Sequence, residues 1–188
     1  MKTENYLNYV LAIKRLRLQN IGCWKDVTLN FSNGLNIITG GGGSGKSTIL
    51  RAIINVMSNN HPSNYVTCYK NCRIEVDLLG RQLVSEFVVP DRTRKFALGE
   101  PCNGKELLIN LSDFLSVIKT GYSVLIENEV MGRFDSKLIK KSIGLIQKAD
   151  GQKIVVIRHL PGFRIKNARI FECVVNKDGS SKIVVRDV

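Results

Sequence analysis

The stretch Gly40-Gly41-Gly42-Gly43-Ser44-Gly45-Lys46-Ser47-Thr48 fits the spacing GxxxxGK(S/T), and its flanks decide what it can be. Upstream, Leu35-Asn36-Ile37-Ile38 is an apolar run that predicts a buried strand. Downstream, Ile49, Leu50, Ile53, Ile54 and Met57 fall at helical spacing. A strand, a glycine loop and a helix in that order form a phosphate-binding P-loop. Glycines let the backbone close around a phosphate chain with its N–H groups turned inward, and the helix N-terminus adds partial positive charge. Lys46 would then reach the terminal phosphates, and the Ser47 hydroxyl would ligate magnesium. A flexible glycine linker is the competing reading, but linkers are not set between a core strand and an amphipathic helix.

The surrounding pattern predicts an α/β fold. Leu16 and Leu18 alternate with Arg15 and Arg17 over 14–20, a half-buried strand. A turn over Gly22–Asp26 leads to a returning strand with Val27, Leu29 and Phe31. The P-loop helix is expected over 46–57, ended by the breakers of 58–64. Ile74, Val76 and Leu78 alternate with charges, Gly80-Arg81 turns, and 82–89 returns, so 66–98 reads as an antiparallel β-lobe with a third strand at 95–98. A helix over 105–119 carries one leucine-rich stripe. A strand follows at 123–126, a helix capped at Asp135-Ser136 runs to Lys148, and a very apolar strand covers 154–157. Strands at 168–175 and 182–185 flank the turn Lys177-Asp178-Gly179.

With 188 residues, a single domain is expected, with 1–13 as a flexible N-terminus. No run of about 18 apolar residues marks a membrane span, and the polar first residues lack a secretion signal, so a cytoplasmic protein is expected. The five cysteines are scattered and read as reduced thiols. Cys68 and Cys72 lack the second pair that a zinc site needs. The net charge of +12 fits either a polyanion partner or a solvated basic surface. Trp24, the one tryptophan, could stack on an adenine ring or cover the edge of the core.

Other candidates lie at strand ends, where open α/β sheets hold ligands. Glu127-Asn128-Glu129 follows one apolar strand and offers carboxylates for magnesium and for orienting water. Arg158-His159 follows another, and His159 could hydrogen-bond a terminal phosphate.

In this order the residues resemble the ATP-binding-cassette (ABC) ATPases, and among them the SMC and DNA double-strand-break-repair heads. The likeness rests on Leu16 through Asp26, Phe31, Gly34 through Ile38, the P-loop, Asn128-Glu129-Val130 through Phe134-Asp135, Arg158-His159, and the closing hairpin from Ala168 to Lys182. It spans about residues 14 to 186. It implies a P-loop NTPase head with a mixed central sheet, an antiparallel β-lobe and a helical lobe reduced to 99–120, and it implies ATP and Mg2+ as ligands. In that register Asn128 or Glu127 serves the metal with Ser47, Glu129 is the catalytic carboxylate and His159 the switch histidine. Cys102-Asn103-Gly104 resembles a degenerate signature motif, and Asp135 the D-loop aspartate. Asn128 stands where the family has Asp, Cys102 stands where it has Ser, and a glutamine loop and long coiled coil are missing. The resemblance implies an ATP-dependent dimerisation switch, with two heads pairing head-to-tail or one head pairing with another ATPase head, and DNA as a partner to test. The alternatives are a catalytically weak nucleotide-binding module serving a partner protein, a transporter-type ABC subunit and a P-loop kinase.

Overall fold

The computed structural model describes residues 12–58, 68–78, 81–88, 124–126, 136–148, 151–158 and 165–188, and the structural statements here concern those residues. Strand β1 (Ile13–Ile21) buries Leu16 and Leu18 and leaves Arg15 and Arg17 half-exposed, as the alternation predicts. β2 (Trp24–Asn30) returns antiparallel to it, with Ile21 opposite Trp24. The turn expected over five residues is therefore only Gly22-Cys23, because Trp24 already belongs to the ladder. β4 (Cys68–Leu78) and β5 (Arg81–Val88) form the expected hairpin, Leu78 facing Arg81. β4 also pairs with β1, so the hairpin extends the first sheet, in the order β2-β1-β4-β5. Arg15 fastens this pairing, donating from Nε to Asp77 at 2.6 Å and from Nη2 to Glu75 at 3.2 Å. The guanidinium of Arg15 holds the Asp77 carboxyl below its ordinary range. The third strand expected at 95–98 and the helix at 105–119 lie outside the described residues.

The second sheet is mixed, in the order β6-β7-β3-β8-β9. β3 (Leu35–Gly40) is central and parallel to β7 (Lys153–Ile157) and β8 (Ala168–Val175). β6 (Val124–Ile126) is parallel to β7, and β9 (Ser181–Asp187) closes antiparallel on β8. Successive strand residues point to opposite faces, and both faces of β3, β7 and β8 carry core residues. Ile38, Ile154, Val156 and Phe171 join one core with Ile49, Leu50, Ala52 and Ile53 of helix α1 (Lys46–Ser58) and with Leu16, Leu18, Ile74 and Val76 of the first sheet. Phe31 packs edge-on against Phe171, with ring centroids 5.3 Å apart. Leu35, Ile37, Val155, Ile157 and Ile170 face the other way, onto Ile139, Ile143 and Ile146 of helix α2 (Ser136–Lys148). The spacing of those three isoleucines is one helical stripe.

Two buried amides brace this frame, one within the second sheet and one between the two sheets. Asn36, 0% exposed, donates to the carbonyls of Ser32, Gly34 and Lys153 and accepts from Ser32 N–H. Gln152, 2% exposed, accepts from Ile13 N–H at 2.8 Å and donates to the carbonyls of Ile13 and Ser32, each at 2.8 Å. It thereby joins the start of β7 to the start of β1. Gln152→Leu keeps much of the volume but takes the amide partner from two backbone groups of Ile13, while the Ser32 carbonyl keeps its bond from Asn36. Urea unfolding should show a loss of about 2 kcal/mol, near 1 kcal/mol per stranded group; an unchanged midpoint would mean that water replaces the amide.

Cys23 and Cys173 are free thiols, as expected, but Cys72 is disulfide-bonded, which corrects the expectation of five reduced cysteines. No helix among the described residues is long and apolar enough to cross a membrane.

Candidate functional site

The P-loop leaves the C-terminal end of β3, the middle strand of the five-stranded sheet, and enters α1. That is the edge of an open α/β sheet where ligands gather. Gly45 precedes the helix, and its carbonyl accepts the first helical bond from Ile49 N–H at 3.3 Å. The amides of Lys46, Ser47 and Thr48 are first-turn donors with no partner inside the helix, which makes the loop an anion site.

Two glycines are demanded by the protein's own packing. Gly40 has φ +143°, and a side chain there would run into the Cys173 carbonyl on the neighbouring strand. Gly45 has φ +86°, and a Cβ would collide with Cys23 Sγ and lie 2.7 Å from Trp24 Nε1. Among the described residues nothing lies within 4 Å of a Cβ placed on Gly41 or Gly43, although Gly43 holds φ +72°, a backbone conformation that favours glycine. The rule that glycine lets the backbone approach phosphate thus explains only part of the motif. The rest comes from wedging the loop between β8 and the β1–β2 turn.

Lys46 is 6% exposed, and its ammonium lies inside the loop. It donates to Gly40 O at 2.7 Å, to Gly41 O at 2.6 Å and to Ser44 Oγ at 3.3 Å. Burial pushes its pKa down, and the nearby charge of Arg158 pushes the same way. Ser44, 0% exposed, donates its hydroxyl to Gly41 O at 2.9 Å and so braces the loop. Ser47 is half-buried at the helix start, an oxygen suited to a hard cation. Thr48 turns its side chain away from the loop, toward Gly22, where an added Cβ would lie 3.2 Å from Thr48 Cγ2. Of Thr48, only the backbone amide belongs to the anion site.

Of the two readings of Trp24, the packing favours the one in which it belongs to the core and not to an adenine site. It is 1% exposed, so its ring has no face to offer an adenine. Its Nε1 donates to Gly45 O at 3.2 Å, and the ring forms the floor under the loop. Behind Gly40, Cys173 is buried, and desolvation raises its thiol pKa to about 12, so it is an inert packing group.

The remaining candidates, Cys102, Asn103, Gly104, Glu127, Asn128, Glu129, Asp135 and His159, lie outside the described residues. β6 ends at Ile126, next to Glu127 in sequence, and runs in the direction of β3 and β7. Among the described residues no cluster of three His, Cys, Asp or Glu could hold a metal. The sequence reading missed Arg158 as a site residue in its own right. Its Nη2 lies 3.7 Å from where a Gly42 Cβ would stand. The signal was available: 154, 156 and 158 share a strand face, and the first two point toward α1.

A family profile described as an AAA domain matches residues 15–77. The Septu protein PtuA of Bacillus thuringiensis is 46% identical over 50 residues, a stretch covering 27% of this chain and only 13% of PtuA. Among solved structures, an SMC head bound to the C-terminal winged-helix domain of ScpA matches with a TM-score of 0.60 at 14% identity, covering 94% of this chain and 98% of that one. The SMC head of Thermotoga maritima matches at 0.58 and 15% identity, covering 94% of this chain and 99% of that one. A Pyrococcus furiosus SMC head, bound to the C-terminal domain of ScpA, matches at 0.60 and 12% identity, covering 94% and 96%. The fold is therefore that of an ABC-type P-loop ATPase head resembling SMC heads.

Proposed function

We propose that this chain binds ATP with magnesium and uses it as a switch for pairing with a second head. The observation that carries the reading is the Lys46 ammonium, buried inside a glycine loop at the end of the central parallel strand. Among the described residues this ammonium bonds only to neutral oxygens, and a buried cation so placed is costly to keep charged. A phosphate chain against the same loop would offset that cost, with the amides of 46–48 completing the cradle. Ser47 would hold magnesium, with Asn128 or Glu127 as further ligand; bound magnesium would neutralise phosphate charge. Glu129 would orient water for hydrolysis, and His159 would sense the terminal phosphate. Cys102-Asn103-Gly104 and Asp135 would meet the nucleotide of the opposite head. Association would then follow ATP binding, and release would follow hydrolysis.

Asn128 and Cys102 favour a second reading, a nucleotide-binding module with little turnover. Each removes a group that a fast ATPase uses, a metal-binding charge or a hydroxyl. DNA and a protein partner belong to the proposal only as candidates suggested by the charge of +12 and by the fold.

Gel filtration of Glu129→Gln with and without ATP and magnesium tests the switch. A shift from monomer to dimer with nucleotide is expected, and no shift at millimolar ATP would remove the paired-head reading. Steady-state phosphate release separates the two alternatives. An ATPase loses its rate in Glu129→Gln, whereas a binding module has no rate to lose.

A further inference from the structure

Arg158 stands one residue past β7, whose last residue, Ile157, is paired with Thr39 just before the P-loop. Strand alternation puts 158 on the face that carries Ile154 and Val156, the α1 side, over which the loop curls. The guanidinium therefore reaches the loop's first half, with Nη2 3.7 Å from the place of a Gly42 Cβ. Lys46's ammonium lies in the same half, on the carbonyls of Gly40 and Gly41. Arg158 is exposed and makes no ion pair among the described residues, so its donors can turn to a ligand at little desolvation cost.

Two cations directed at one loop repel each other unless an anion lies between them. The helix amides of 46–48 serve one end of a phosphate chain, and Lys46 with Arg158 serves the other. We infer that Arg158 is a specificity residue of the nucleotide site, a planar fork that engages the last phosphate of a nucleoside triphosphate and so sets triphosphate apart from diphosphate. The inference rests on the nucleotide-binding reading above and deepens it: it adds a residue that distinguishes the two states of the switch.

Calorimetric titration of the wild type, Arg158→Ala, Arg158→Lys and Lys46→Ala with AMP-PNP and with ADP, all with magnesium, tests it. Arg158→Ala should weaken AMP-PNP about tenfold or more while ADP stays within about twofold, the size of one charge-assisted hydrogen bond. Arg158→Lys should fall between, since a point charge replaces part of a fork. The melting temperature without nucleotide should not move, because the side chain is exposed. Equal losses for both nucleotides, or no loss for AMP-PNP, would overturn the role of Arg158. If Lys46→Ala loses binding while Arg158→Ala does not, the nucleotide site stands and this inference falls. If the wild type binds neither nucleotide, both fall.

Discussion

Lys46→Ala is expected to weaken ATP binding by about 100-fold, the equivalent of about 3 kcal/mol for truncating one partner of a buried charged contact. The folded protein should survive the change. The ammonium's partners are Gly40 O, Gly41 O and Ser44 Oγ, and Gly41 O keeps the bond from Ser44 Oγ when the lysine is gone. Stability without nucleotide should therefore stay within about 1 kcal/mol of wild type. The pH dependence follows from the same burial. The pKa of Lys46 is lowered in the native state. Between that lowered value and the ordinary one, the unfolded chain binds the proton more tightly, so deprotonation favours the folded form and this residue's contribution rises with pH. Binding runs the opposite way across that window, because the neutral amine no longer attracts phosphate. Titration of ATP against Lys46→Ala and wild type, with melting curves beside it, checks both halves. Unchanged affinity in the variant would remove Lys46 from the site, and a collapse in melting temperature would make it a structural residue instead.

How much of this could be read from residues alone depended on the range of the interaction. Local signals were legible. The alternation of Leu16 and Leu18 against Arg15 and Arg17 gave β1, the helical spacing of Ile49, Leu50, Ile53, Ile54 and Met57 gave α1, and the cap at Asp135-Ser136 gave α2, within a residue or two. The P-loop was legible because its strand, glycines and helix are contiguous. Pairing of β1 with β4 was not, since residues 60 apart declare their register only through packing. Asn36 and Gln152 were overlooked for a similar reason. A polar residue inside or beside an apolar strand gives no sign of which distant carbonyl it serves. At the site, sequence supplied the glycines but not the cause of each: Gly40 and Gly45 answer to Cys173, Cys23 and Trp24, all remote in sequence from the loop or on another strand. Attention to His159 hid Arg158 beside it, although strand periodicity alone puts that arginine on the loop's face.

Trp24→Ala should produce the largest loss of stability, about 3–5 kcal/mol for emptying a fully packed aromatic site. At this chain length that corresponds to a fall of roughly 10 °C in melting temperature. The ring is 1% exposed and sits in the core cluster with Ile21, Leu50 and Ile53. It also carries the loop: Nε1 donates to Gly45 O, and Gly45 holds φ +86° with the indole directly behind it. Removing the ring leaves space under that glycine, so the amides that follow it lose their fixed direction and nucleotide affinity falls along with stability. Trp24→Phe separates the two contributions. It keeps most of the volume but drops the indole N–H, which should cost about 1–2 kcal/mol. Because Trp24 is the only tryptophan, its own emission reports on the assignment. A buried floor predicts blue-shifted emission, poor quenching by acrylamide and little change when ATP is added. Strong quenching by ATP, together with a melting temperature that Trp24→Ala leaves unmoved, would return the ring to the adenine and remove it from beneath the loop.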